Sequence, residues 1–233
     1  MNDVYKKVEL RRLLSDRRLR GRQAPEGGSG ISAYKIISLL LQYPDQHLED
    51  ARTAIVEAVA ALPSANQRDA LQLFLDYWRL QQLVALQQEY VRTFDFQKRL
   101  SLYLTYYLFG DRRQRGMALL RLKKRYAAAG LPPSGTELPD YLPVLLEFAA
   151  YAPDMYGREL LGEFRSAIEL LRMALYDTGS AYGHLLDALC AALPALTREE
   201  REQVRRLAAE GPPSEQVGLE PFAPPEVMPT RSI

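Results

Sequence analysis

Between Leu100 and Phe109 the chain reads LSLYLTYYLF, and a segment of that kind is at home only inside a packed helical body. Leu100, Tyr103, Leu104, Tyr107 and Leu108 recur at i, i+3, i+4, i+7 and i+8, the spacing of one helical face. Leu102, Tyr106 and Phe109 add a second apolar stripe, which leaves a narrow strip at Lys98, Ser101 and Thr105 for water. A helix that is hydrophobic nearly all round is buried. This one is far short of the roughly 20 residues needed to cross a bilayer. Gly110 then suits the positive-φ residue that ends a helix, and Asp111 suits the cap of the next.

The rest of the chain has the same period. Tyr34, Ile37 and Leu41 share a face up to Pro44, and Leu48, Ala51, Ile55, Val59 and Leu62 form another up to Pro63. Ser64 is a candidate N-cap for a long helix carrying Leu73, Tyr77, Leu80, Val84 and Val91. A basic helix from Arg112 to Ala129 closes at Gly130. Leu131 to Leu138, LPPSGTEL, breaks the pattern and is the candidate hinge between two lobes. Beyond it, Asp140 can cap a helix with Pro143 in its first turn, where proline is tolerated. Leu160 to Leu175 predicts a further helix and Tyr182 to Leu189 another. Thr197 with Glu200 has the pattern of a capping box that opens the last. The expectation is an all-α fold: a single helical bundle over 31–210, of about eight or nine helices in two lobes. Residues 1–30 carry eight basic side chains against four acidic ones and end in QAPEGGSG. They read as a flexible extension, either native or an added segment. Six prolines fall in 211–233, which reads as a disordered or loosely docked tail.

Composition removes several function classes. With 233 residues and 47% hydrophobic content the chain can bury one sizeable core. A formal charge of +1 is no footprint of nucleic-acid binding. The lone Cys190 excludes an internal disulfide and fits a reducing compartment. Met1 to Gly30 holds no hydrophobic stretch of the signal-peptide kind, so the expected location is the cytoplasm. Two histidines, His47 and His184, and one cysteine supply neither a zinc set nor a nucleophile with its base. There is no phosphate-cradling glycine loop. Neither catalysis nor a cofactor is expected.

Two charge features remain. Arg112 to Arg125 holds seven basic residues and no acid, with Asp111 and Arg115 spaced i, i+4 for an ion pair. It reads as a solvated face or as a contact for an acidic partner. Glu137, Asp140, Glu147 and Asp154 surround the hinge, with Asp140, Val144, Glu147 and Tyr151 on one side of a helix and Leu142 and Leu146 on the other. That is either a capped, solubilising surface or a strip of carboxylates beside apolar groups, suited to a peptide that is basic and apolar.

Four runs, in order, carry a resemblance: YKIISLLLQYPD (Tyr34 to Asp45), EYVRTFDF (Glu89 to Phe96), SLYLTYYLFGDRRQRGMALLRLKKRYAAAGL (Ser101 to Leu131) and ELPDYLPVLLEF (Glu137 to Phe148). Together they resemble the NarJ-type nitrate reductase assembly chaperones, within the wider TorD-like family that serves molybdenum enzymes. The resemblance implies a two-lobed helical chaperone without catalytic activity. Its client would be the apo catalytic subunit of respiratory nitrate reductase, bound through that subunit's N-terminal segment. The client would be held competent for molybdenum cofactor insertion before it docks on the membrane. Proteins of molybdenum cofactor biosynthesis are further implied partners. The peptide contacts this implies are Tyr103, Tyr107, Asp111 and Arg115 from one run, and Glu137, Pro139, Asp140, Tyr141, Pro143 and Glu147 from the other. Relatives often carry a histidine after the Pro-Asp pair, where this chain has Tyr141, so a role resting on histidine titration is in doubt here. The rival expectation is a helical adaptor whose basic segments bind nucleic acid or another acidic partner.

Overall fold

A computed structural model describes residues 32–110, 112–132, 137–152 and 154–211, the last segment by main chain alone at 154 and 155. The expected N-terminal extension, the Pro-rich tail beyond Gly211 and Asp111 lie outside the described residues.

Short caps set the helix boundaries. α1 (Ala33–Leu40) starts where the Ser32 hydroxyl accepts from Lys35 N at 3.3 Å. Pro44 and Asp45 follow, and the Asp45 carboxylate caps α2 (Gln46–Asp50) through Leu48 N at 3.0 Å. α3 (Arg52–Ala60) comes next, then α4 (Ala65–Arg79), capped by Ser64 as expected. α5 (Leu83–Phe94) leads into a 3-10 turn at Lys98–Leu100 and the short α6 (Leu104–Phe109). α7 (Arg113–Ala128) ends at Gly130, whose φ is +73°. α8 (Leu142–Tyr151), α9 (Asp154–Glu163), α10 (Arg165–Asp177) and α11 (Gly183–Ala192) follow. The final α12 (Arg198–Glu210) opens on the expected capping box of Thr197 and Glu200.

The described residues thus hold twelve α-helices and no strand, an all-α fold with more segments than the eight or nine expected. The extra breaks fall inside continuous apolar periods: at Ala51, at Leu80 to Gln82 and at Phe164 (φ −100°, ψ 12°). A periodic stripe survives a one-residue kink, so these breaks leave little trace in sequence. The segment 98–109 is also corrected: it is a 3-10 turn and a six-residue helix, not one continuous buried helix.

A single core joins elements from both sides of the Pro-rich segment. α11 packs against α1, α4 and α10, and its Leu185, Leu186, Ala188 and Leu189 are wholly buried. α10 in turn packs against α6 and α12, and α8 against α1 and α9. The α8–α9 contact is close enough to require glycine: a Cβ on Gly157 would lie 2.5 Å from Ala149 Cα. Gly157→Ala is therefore expected to cost about 1–3 kcal/mol, whatever alanine contributes as a helix former. Gly116, on α7 with open space around it, should respond in the opposite sense, with a gain of up to about 1 kcal/mol on change to alanine. Thermal unfolding followed by circular dichroism measures both.

Candidate functional site

The third and fourth runs of the sequence meet in space. Tyr103 and Tyr141 form an isolated antiparallel bridge. Leu104 N donates to Asp140 O at 3.0 Å and Leu142 N to Leu102 O at 2.8 Å. Their rings tilt against each other at 5.3 Å. Chain segments 101–105 and 137–142 are thereby laid side by side at the entrances to α6 and α8.

Asp140 fixes this junction. It is wholly buried, and its Oδ2 accepts from Thr105 N at 3.2 Å and from the Thr105 hydroxyl. Arg115 on α7 donates from Nε to the Thr105 hydroxyl oxygen at 3.1 Å and places Nη2 3.6 Å from Asp140 Oδ2. Asp140 therefore caps α6 in trans, satisfying a first-turn N–H that the short helix cannot. The expectations that it caps its own helix and stands in a solvent-facing acidic strip are both corrected; the residue before α8 is Tyr141. Thr105, placed in the water-facing strip by its spacing, has no exposed surface for the same reason. Behind it, Tyr126 of α7 donates its hydroxyl to Pro139 O at 2.6 Å, and Ser38 of α1 donates to Pro143 O at 2.7 Å.

The other expected site residues separate into two groups. Tyr107 is core: its hydroxyl donates to Arg99 O at 2.9 Å and Ser101 O at 3.1 Å, closing the 3-10 turn. Glu147 pairs with the buried Lys35 of α1, so it too leaves the expected strip of free carboxylates. Pro139 and Pro143 are buried supports. Tyr103, Glu137 and Tyr141 remain, and these three share a cavity.

That cavity measures about 230 Å³. Its second wall is the C-terminal end of α5 and the turn after it: Tyr90, Phe94, Asp95, Gln97 and Lys98, with Ser101 and Leu102 at the base. Tyr90 donates its hydroxyl to Leu41 O at 3.1 Å and shares a 3.1 Å hydrogen bond with the Tyr141 hydroxyl. Tyr103 donates to Glu137 Oε2 at 3.3 Å. Burial pushes the Tyr141 hydroxyl up to about 12, with Glu137, Tyr103 and Asp95 adding to it. Tyr141 thus stays neutral at physiological pH and cannot act as a histidine-like titrating group. Rings of Tyr43, Phe94 and Tyr182 pack on Tyr90 at 4.8–6.0 Å and tie the cavity wall to the core. Tyr90, Phe94 and Asp95 were not among the expected contacts. Their signal was the EYVRTFDF run itself, whose Tyr90 and Phe94 lie i, i+4 on one face of α5.

Elsewhere the described residues show no cluster able to hold a metal ion. Cys190 lies 3.8 Å from Glu169, and burial raises its thiol to about 11, which makes it a structural thiol. His184 faces Tyr176 and Asp187, not Cys190. The basic run of α7 is not one patch: Arg115 turns inward and Arg125 pairs with Glu163, while Arg121, Lys123 and Lys124 are exposed.

Residues 60–186 match the family model described as nitrate reductase delta subunit. The chain belongs to that family. It is 36% identical over 163 residues to the probable nitrate reductase molybdenum cofactor assembly chaperone NarJ of Bacillus subtilis, covering 69% of this chain and 87% of that one. It is 34% identical over 156 residues to the Escherichia coli K12 nitrate reductase molybdenum cofactor assembly chaperone NarJ, covering 66% of each. A third match, at 34% over 167 residues, is to the nitrate reductase-like protein NarX of Mycobacterium tuberculosis H37Rv, of which this chain spans 25%. Both NarJ relatives carry the name of assembly chaperones. No helix among the described residues is long and apolar enough to cross a membrane.

Proposed function

We propose that this protein is a system-specific chaperone for nitrate reductase molybdenum cofactor assembly. It binds the N-terminal segment of the apo catalytic subunit and keeps that subunit competent for cofactor insertion before membrane docking. The observation that carries the peptide reading is the aromatic cavity at the junction of the chain's family-like runs. Its aromatic walls are tied in place, because Tyr90 donates to Leu41 O just past α1 and shares a hydrogen bond with Tyr141, and Tyr103 is bridged to Tyr141. A recess that sets aromatic rings beside polar and charged groups can pack a side chain and orient it. Exposed Phe96 and Tyr43 beside it extend the apolar surface over which an amphipathic segment can lie. The same reading places the chaperone in the cytoplasm and makes proteins of cofactor biosynthesis its further partners.

Calorimetric titration of the full chain with a peptide covering the N-terminus of the catalytic subunit tests this. A one-to-one complex with a Kd below about 10 µM is expected, an affinity that a few buried anchors supply. Tyr141→Ala should weaken it at least tenfold. A folded protein that shows no binding, or a Tyr141→Ala variant that binds as well as the parent, would remove the peptide or the cavity from the proposal.

A further inference from the structure

Resting on that reading, we propose that the cavity receives one long cationic side chain of the client segment, a lysine or an arginine, and that this residue is its anchor. A volume of about 230 Å³ suits a single large side chain, not the whole face of a helix. Four of its walls are aromatic, from Tyr90, Phe94, Tyr103 and Tyr141. Such walls pack against the methylene stem of a lysine or arginine while its charged end stays among polar groups.

The polar groups decide between a cation and a neutral apolar anchor. Asp95 and Glu137 both line the cavity, against the one ammonium of Lys98. Glu137 receives the Tyr103 hydroxyl on Oε2 alone, and Asp95 makes no ion pair among the described residues. Asp95 is also the C-cap of α5, so the negative end of that helix lies at the same wall. Burial first and Glu137 next raise the Tyr103 hydroxyl; on Tyr141, burial raises, the Tyr90 hydrogen bond lowers, and Glu137 and Asp95 add to the rise. An incoming carboxylate would be repelled, and an incoming aliphatic group would take up none of the charge of these two exposed carboxylates. An ammonium or guanidinium meets both.

The test is a titration series on the full chain. The probes are the catalytic subunit's N-terminal peptide and its variants in which each lysine or arginine in turn is replaced by norleucine, which keeps the stem and removes the charge. One replacement should weaken binding at least tenfold while the others change it less than about threefold. Against Glu137→Gln, shown by its melting curve to be as stable as the parent, that same replacement should lose its effect. If every replacement costs the same small factor, or if Glu137→Gln leaves the discrimination intact, the anchor is refuted while the peptide site stands. If the parent peptide fails to bind the folded chain, the anchor falls together with the site.

Discussion

Asp140→Ala is expected to destabilise the fold by about 3 kcal/mol or more and, under conditions where it still folds, to weaken client-peptide binding at least tenfold. The loss has three physical parts. Thr105 N–H at the head of α6 loses its acceptor, the Thr105 hydroxyl loses its buried partner, and the half-buried Arg115 guanidinium is left facing Thr105 alone. Because Asp140 holds segment 137–142 against 101–105, its removal also loosens Tyr103 and Tyr141, the two rings that face each other in the cavity. Asp140→Asn keeps the shape and the backbone contacts while removing the charge, so it should recover most of the affinity and part of the stability. If Asp140 met the client directly, the asparagine would lose affinity at unchanged melting temperature. Parallel calorimetry and thermal unfolding of the two variants separate these outcomes.

A second large effect is expected far from the cavity. Glu169 on α10 is buried between two guanidinium groups: Arg165 donates to it at 3.1 Å, and Arg172 at 2.6 and 3.2 Å. Arg172 also reaches Asp187 of α11 at 3.1 Å, and Arg165 reaches Pro194 O at 3.2 Å, so the cluster ties α10 to α11 and to the approach to α12. Glu169→Ala should cost about 3–5 kcal/mol, because it leaves the buried Arg165 charge without its counterion. Burial alone would raise the Glu169 carboxyl, but hydrogen bonds and charge from Arg172 and Arg165 hold it below its ordinary value. A carboxylate depressed in the folded state contributes stability that is complete above its unfolded value and is lost as the pH falls through its folded one. Melting temperatures from about pH 6 down to about pH 3 should therefore drop more steeply for the parent than for Glu169→Gln, bringing the two curves together in acid. Parallel curves would show that the cluster does not couple to protonation.

The part of this protein that could be read from the chain is the part built from local rules. Ser64 and Thr197 with Glu200 begin helices, and Gly130 closes one, where their chemistry predicts, because a cap acts within three or four residues of itself. The apolar stripes at 3.6-residue spacing predicted the all-α class, and the resemblance carried by the four runs agrees with the family match over 60–186. The site escaped in one respect and was misread in another. Asp140 looks like an N-cap followed by a proline and Thr105 looks like a wet edge, yet the two bury each other across 35 residues of sequence. Glu147 looks free and is paired with Lys35 across 112 residues. Periodicity records which side of a helix is apolar, and it carries no mark of a polar pair made between distant segments. Contacts of that long-range kind, Asp140 with Thr105 and Tyr90 with Tyr141, bring the end of α5, the entrance to α6 and the entrance to α8 together around the cavity. Composition and spacing determined the helical body; long-range hydrogen bonds between buried polar groups decided how the segments around the candidate site are joined.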